Sequence, residues 1–140
     1  MIFDWTQGPL AQGLRDYNAA NFFAAHEAWE SVWLTAPQPE KLFLQALIQV
    51  TVAFHHLQRS NPLGATRLLT AALRKLSPYP PNFATLNVTL LRDDIRTRLQ
   101  SLAADPPPTQ LIPPRILSLQ ATDSIRLATM QKSGVGFSPR

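Results

Sequence analysis

The sequence of 140 residues contains no cysteine, which excludes disulfide bonds, thiolate metal sites and a cysteine nucleophile. No stretch approaches the roughly 18 consecutive apolar residues of a membrane span. The first ten residues lack the basic and apolar segments of a secretory signal. These absences lead us to expect a cytoplasmic protein with no membrane partner.

Glycine is also scarce, with five residues in the chain, and no glycine-rich phosphate loop or internal repeat is present. Most basic residues lie in the second half of the chain, whereas most aromatic residues lie in the first. Single-strand nucleic-acid binding usually combines charge with stacking aromatic rings. We therefore expect no specific nucleic-acid binding. A small-molecule ligand and a homo-oligomer remain open as partners, and no particular cofactor is indicated.

The length fits one domain with one core. Apolar residues recur at helical spacing in five segments separated by prolines and capping residues, namely residues 9–18, 21–34, 39–57, 62–76 and a segment from about 87. The sequence thus predicts an all-α fold, a compact bundle of about five helices with residues 42–57 as its central apolar helix. We expect residues 1–120 to form the domain, with LIPPRILSL as an extended, proline-rich strap, and residues 121–140 to be a mobile tail.

The periodicity also predicts which side chains are buried in the last two helices. In the fourth helix the buried stripe comprises Leu63, Thr66, Leu69, Leu73 and Leu76. In the fifth helix Asp94 and Arg98, one turn apart, are expected on the exposed side.

One titratable side chain falls on the aromatic face of the second helix. At 100° per residue, His26 projects between Phe22 and Trp33. Glu30 lies one turn beyond His26, and Glu27 lies at the rim. The pattern predicts a largely buried histidine beside a carboxylate.

The central helix carries a second polar line. Gln45, Gln49 and His56 fall within about 40° of one another, whereas His55 belongs to a different face. Buried polar groups need partners to offset their desolvation. We therefore expect the two lines to face each other, with direct or single-water contacts from His26 or Glu30 to Gln49 or His56.

The runs YNAANFFAAHEAWESVW and FLQALIQVTVAFHHLQRSNPLGATRLL resemble the family known as domain of unknown function 309, over roughly residues 10–76. The shared features are Asn18, the A-H-E-x-W-E-x-x-W core (Ala25 to Trp33), the Q-x-L-I-Q segment (Gln45 to Gln49), a histidine (His55 or His56) and the N-x-x-G-A turn (Asn61 to Ala65). Ser60 and Ala46 stand where such proteins often carry glycine. The resemblance implies an all-helical fold with no established activity.

Two functions of the polar cluster remain open at this point. His26, Glu30, Gln49 and His56 could form a structural network that fixes the register of two helices. Alternatively, His26, Glu27, Glu30, Gln45, Gln49 and His56 could bind a small ligand, with Trp29 and Trp33 as walls that exclude water.

Two further alternatives are a metal site and a basic interaction face. A metal-dependent, hydrolase-like site would use His26, Glu30 and His56, although neither the H-E-x-x-H motif of zinc proteases nor the Glu-x-x-His pairs of di-iron bundles is present. An interaction module would instead use a basic face made of Arg67, Arg74, Arg92 and Arg96.

Overall fold

A computed structural model describes residues 1–116, and its five helices confirm the predicted all-α fold. The helices are α1 (Gly8–Asn18), α2 (Phe22–Trp33), α3 (Glu40–Gln58), α4 (Pro62–Leu76) and α5 (Val88–Leu102). Two short strands, β1 (Asn82–Phe83) and β2 (Leu86–Asn87), precede α5. The tail predicted for residues 121–140 and the last three residues of the predicted strap lie outside the described residues.

Local capping residues explain where the helices begin and end. The Asn61 side chain accepts a hydrogen bond from the Gly64 N–H at the start of α4, and Asn87 does the same for Leu90 at the start of α5. Directly after α1 and α3, Ala20 and Ser60 adopt left-handed φ angles of 63° and 58°. Such residues reverse the chain and end a helix.

Helix α3 lies between α2 and α4, and this confirms the prediction of a central helix. Nine of its residues are buried, among them Phe43, Leu47, Val50 and Phe54. The side chains of the remaining flank, which includes Gln45 and Gln49, are only half-buried. The central helix is therefore covered on most but not all of its circumference. No helix within residues 1–116 combines the length and apolar character needed to cross a bilayer.

The buried face of helix α4 overlaps the predicted stripe in Leu69 and Leu76 but is rotated away from Leu63. Leu63 is 58% exposed, and the buried residues are Ala65, Leu69, Ala72 and Leu76. Two alanines on the buried face allow the backbones of packed helices to approach closely. The larger side chain of Leu63 is thereby left at the edge of the bundle.

Trp29 occupies the centre of the core. Its side chain is fully buried, and its Nε1–H donates to the Leu10 carbonyl at 3.1 Å. Trp5 and Tyr17 pack against its ring with centroid distances of 6.2 and 5.9 Å. Trp29 therefore links α1 to α2. It does not form a wall of a pocket, which the small-ligand alternative required.

The connection from α4 to α5 contains a small hairpin that the sequence did not predict. Strands β1 and β2 pair antiparallel through a two-residue turn, in which Ala84 and Thr85 both have positive φ, 53° and 59°. The turn is anchored to the amino terminus because Trp5 Nε1–H donates to the Ala84 carbonyl at 2.9 Å. Tyr79 lies among the prolines that precede β1, and its hydroxyl donates to the Pro39 carbonyl.

After α5 the chain forms a strap without helix or strand, as predicted for residues up to 116. The Tyr17 hydroxyl donates to the Pro114 carbonyl at 2.6 Å, and burial raises the pKa of this tyrosine, so the hydroxyl stays a donor. Arg98 Nε donates to the Ile112 carbonyl at 2.8 Å. These bonds fix the strap to α1 and α5.

Asp94 is the third anchor of the strap, and the expectation that it lies on the exposed side was wrong. Its side chain is 7% exposed and accepts hydrogen bonds from the Arg115 backbone N–H at 2.9 Å and from Arg115 Nε at 3.0 Å. Burial alone would raise the pKa of Asp94, but the hydrogen bonds and charge of Arg115, together with Arg98, lower it below its ordinary value. The strap itself covers this carboxylate, which the periodicity of α5 cannot reveal.

Candidate functional site

Side chains on α2 and α3, half-buried except for the exposed Glu30, form a strip that we call the α2–α3 flank. It comprises His26, Glu30 and Trp33 on α2, with Lys41, Gln45 and Gln49 on α3. Two contacts define its ends. At one end the rings of Phe23 and His55 lie 5.8 Å apart, and at the other Lys41 Nζ lies 4.3 Å from the centre of the Trp33 ring.

These two contacts show that the helices run antiparallel. The contacts are ten residues apart on α2 (33 − 23) and fourteen apart on α3 (55 − 41), so they set no one-to-one register between the helices. His26 and Glu30 lie between these contacts on α2, and Gln45 and Gln49 lie between them on α3. The stretches of α2 and α3 that carry the two polar lines thus lie between the same pair of contacts, and direct facing of the two lines stays a prediction.

His26 is less buried than predicted, because its side chain is 25% exposed. Its Nε2 lies 3.9 Å from a carboxylate oxygen of Glu30, a spacing suited to an ion pair only when the imidazole is protonated. The Glu30 side chain is 50% exposed, and Glu27 lies on the solvent side as predicted. The pair thus borders the solvent at the edge of the flank.

Three polar atoms of the flank are buried without a hydrogen-bond partner among residues 1–116. They are His26 Nδ1, Trp33 Nε1 and Gln49 Oε1. An unsatisfied buried donor or acceptor costs about 1–3 kcal/mol, so native proteins contain few of them. Three such atoms on adjoining faces of two helices therefore distinguish this flank from the rest of the described core.

The expected network of His26, Glu30, Gln49 and His56 is not formed by direct hydrogen bonds. His26 Nδ1 and Gln49 Oε1 lie without partners, and His56 Nδ1 lies 3.4 Å from Asn61 Nδ2 at the start of α4. A Cβ atom on Gly64 would come within 3.1 Å of the His56 ring, so the absence of a side chain there lets His56 turn toward α4. His55 faces α2 in its place. A link through one water stays a prediction.

The three proposed metal ligands are not assembled. Within the part of the chain that the structure describes, no group of three or more His, Asp or Glu side chains is placed to hold a metal ion. His26 and Glu30 are neighbours, but the ring of His56 lies against Asn61 and Gly64. The geometry therefore does not support the hydrolase-like alternative.

The four arginines predicted to form a basic face differ in their surroundings. Arg92 is half-buried, and its Nη1 donates to the carbonyls of Leu76 and Tyr79 at 3.0 and 2.8 Å. It caps the end of α4, so its assignment to an exposed face was wrong. Arg96 pairs with Asp93 at 3.0 Å, whereas Arg67 and Arg74 are exposed on α4.

Sequence reasoning missed the parts of the flank that depend on contacts between helices. Lys41 donates to the carbonyls of Trp33 and Leu34 at 3.0 and 3.3 Å, and its charge caps the end of α2. A lysine two residues after Pro39, directly beyond a short loop, is a signal that could have indicated this cap. Nothing in the sequence indicated that Phe23 would be 56% exposed and lie against both His26 and His55.

Comparisons with known proteins bear on the family resemblance of this segment. A relative described as an uncharacterized protein, from Aquifex aeolicus (strain VF5), is 30% identical over 77 residues, which cover 54% of this chain and 23% of the relative. The family model described as Domain of unknown function (DUF309) matches residues 10–68. The matched segment runs from α1 into α4 and includes both edges of the α2–α3 flank. The match over residues 10–68 agrees with the resemblance noted in the sequence.

Proposed function

We propose that the α2–α3 flank binds a small polar ligand. The observation that carries this proposal is the set of three buried polar atoms without partners: His26 Nδ1, Trp33 Nε1 and Gln49 Oε1. A ligand that hydrogen-bonds to these atoms would recover free energy that the unliganded fold loses. The three side chains are themselves only half-buried, so a molecule approaching from solvent can reach them after small side-chain rotations.

The donor and acceptor types set the chemistry of the ligand. The Trp33 indole only donates, so the ligand carries an acceptor at that end; the Gln49 oxygen only accepts, so it carries a donor at the other. His26 and Trp33 are seven residues apart, which corresponds to about 10 Å along the helix. The ligand is therefore elongated, with unlike ends.

The charges of the flank agree with this polarity. The carboxylate of Glu30 lies beside His26, at the end where the ligand donates. The ammonium of Lys41 lies over the Trp33 ring, at the end where the ligand accepts. A ligand with an amino group beside Glu30 and a carboxylate beside Lys41 would complement both of these charges. The proposed ligand class is a short amino acid or peptide with its two charges about 10 Å apart.

A series of unbranched ω-amino acids tests this class. Titration of the protein with members of increasing chain length, followed by NMR of the indole N–H signals, should show saturable shifts of the Trp33 signal. Affinity should peak for the member whose charged ends match the length of the flank. The Trp29 N–H, bonded to the Leu10 carbonyl, provides the internal control. Absence of saturable shifts at every chain length would refute the proposal.

Replacing Gln49 by methionine distinguishes a binding site from a structural network. Gln49→Met removes a buried acceptor without a partner and keeps the side-chain length, so the free energy of unfolding should rise by about 1 kcal/mol. The same change should weaken ligand binding about tenfold, which is 1.4 kcal/mol. Urea denaturation and the NMR titration measure the two effects.

The matched control is Gln100→Met, at an exposed position on α5, which should change neither quantity. If Gln49→Met instead lowers the unfolding free energy by about 1–3 kcal/mol, the amide has a partner inside the protein. The polar cluster would then be a structural network and not a binding site.

A further inference from the structure

A concave site lies on a different part of the bundle and shares no residue with the α2–α3 flank. It is a cleft of about 420 Å³ between the turn that joins α1 to α2, the end of α3 and the strap. Its lining residues are Ala20, Phe22, Phe54, Leu57, Gln58, Ser60, Thr109, Gln110, Leu111 and Pro113. Ligand sites in proteins usually have volumes of about 300–1,000 Å³, so the size suits a small molecule.

The floor of the cleft is apolar. Phe22, Phe54 and Leu57 are each at most 4% exposed, and the Phe22 and Phe54 rings lie 5.8 Å apart. A flat aromatic or short aliphatic body packed on these rings would bury apolar surface on both partners. The floor thus selects for an apolar body.

The rim of the cleft is polar but uncharged. It presents the carboxamides of Gln58 and Gln110 and the hydroxyls of Ser60 and Thr109. Gln58 Nε2 donates to the Ala20 carbonyl at 3.0 Å, and this bond fixes the position of the carboxamide. None of the lining residues carries a charge, although the whole chain has a net charge of +4. The rim therefore suits a neutral head group that accepts or donates hydrogen bonds.

The outer wall of the cleft is held in place. It consists of residues 109–113, which include the start of the strap. The Tyr17–Pro114 and Arg98–Ile112 hydrogen bonds anchor the strap beside this wall. The Asp94–Arg115 pair closes the anchored segment. A wall fixed at several points keeps the cleft open without a ligand, as in most small-molecule sites.

From this geometry we infer that the cleft binds a neutral small molecule with an apolar aromatic or aliphatic body and a carbonyl or hydroxyl head. The body lies on Phe22, Phe54 and Leu57, and the head lies at the rim beside Gln58. This site is independent of the proposed function of the α2–α3 flank, because it uses other residues and the opposite class of ligand, uncharged rather than charged.

The neutral fluorophore 6-propionyl-2-(dimethylamino)naphthalene is a suitable probe, since it has a flat body and a ketone head. Its emission should shift to the blue and saturate on addition of the full-length protein. Thr109→Trp places a large ring at the exposed rim, and we expect it to fill the cleft and weaken binding at least about tenfold. Gln100→Trp, an equally exposed substitution on α5, should leave binding unchanged.

A charged analogue tests the requirement for a neutral head. The corresponding naphthalene sulfonate has the same body, and the net charge of the protein favours anions in general. It should nevertheless bind at least about tenfold more weakly than the ketone. Equal or tighter binding of the sulfonate would overturn the inference, as would absence of a saturable blue shift or an equal loss of affinity in Thr109→Trp and Gln100→Trp. Gln49→Met should not alter binding of the neutral probe, because Gln49 does not line the cleft. The experiments can therefore refute the proposal for the flank and the inference for the cleft independently.

Discussion

Gly13 leaves the space in α1 that the Trp29 indole fills. A Cβ atom at position 13 would overlap Nε1 and Cδ1 of that ring. The ring cannot retreat, because it is fully buried, donates to the Leu10 carbonyl and packs on Trp5 and Tyr17. Close packing of α1 on α2 therefore depends on this glycine.

Gly13→Ala should lower the free energy of unfolding by about 1–3 kcal/mol, the usual cost of overpacking a core. The higher helix propensity of alanine offsets about 1 kcal/mol at most. Urea denaturation measures the change, and Gln12→Ala, next to it on the exposed face of α1, should be nearly neutral. A Gly13→Ala variant more stable than the wild type would show that α1 and α2 can separate at little cost.

At the scale of elements, the turn between β1 and β2 holds two residues in an unfavourable backbone conformation. Ala84 and Thr85 both have positive φ, which costs roughly 1–2 kcal/mol for residues with a Cβ. Two-residue hairpin turns with both φ values positive favour Asn-Gly. The double substitution Ala84→Asn with Thr85→Gly should therefore raise the free energy of unfolding by about 1–2 kcal/mol.

Thermal denaturation followed by circular dichroism checks this gain. The hydrogen bond from Trp5 goes to the backbone carbonyl of residue 84 and survives both substitutions. Ala103→Gly is the control, since Ala103 has φ of −78° at the end of α5 and gains nothing from glycine. A double variant no more stable than the wild type would mean that the turn stores no strain.

The elements that the sequence predicted well are those set by neighbouring residues. Asn61 followed by Pro62 gives the start of α4, and Asn87 gives the start of α5, because a cap bonds to a group three residues away. Contacts between distant segments were not predictable in this way. Asp94 has its partner Arg115 21 positions later, and periodicity alone placed it on the outside of α5.

The same limit applies to the candidate site. Helical angles placed His26 and Gln49 on faces of α2 and α3 that are at least half-buried, because those angles are a local property of each helix. They put His56 and not His55 on the polar line, whereas the ring of His55 lies against Phe23 of α2 and His56 lies beside Gly64 of the next helix. Nor could they show that His26 Nδ1 and Gln49 Oε1 would be buried without a hydrogen-bond partner among residues 1–116.

At the scale of the whole molecule, the Asp94–Arg115 pair couples the end of the described chain to the helical bundle and makes stability depend on pH. Asp94 has a lowered pKa in the folded protein. The unfolded chain therefore binds the proton more tightly, and folding is favoured while the carboxylate is ionised. This contribution is fully present above the unfolded pKa of about 3.9 and is lost as pH falls through the lower, folded value.

Asp94→Asn should thus lower the free energy of unfolding by about 1–2 kcal/mol at neutral pH, a moderate loss because Arg115 is largely exposed. The difference from the wild type should stay constant down to about pH 5 and shrink below about pH 4, where Asp94 of the unfolded wild-type chain takes up its proton before that of the folded protein. Asp93→Asn is the matched control one residue away. Its side chain is 62% exposed and pairs with an exposed Arg96, so the change should stay below about 0.5 kcal/mol at every pH. Equal losses of unfolding free energy in the two variants would mean that Asp94 contributes no more to stability than an exposed aspartate. A loss in Asp94→Asn that persists unchanged at pH 3 would mean that the charge of the carboxylate does not stabilise the strap.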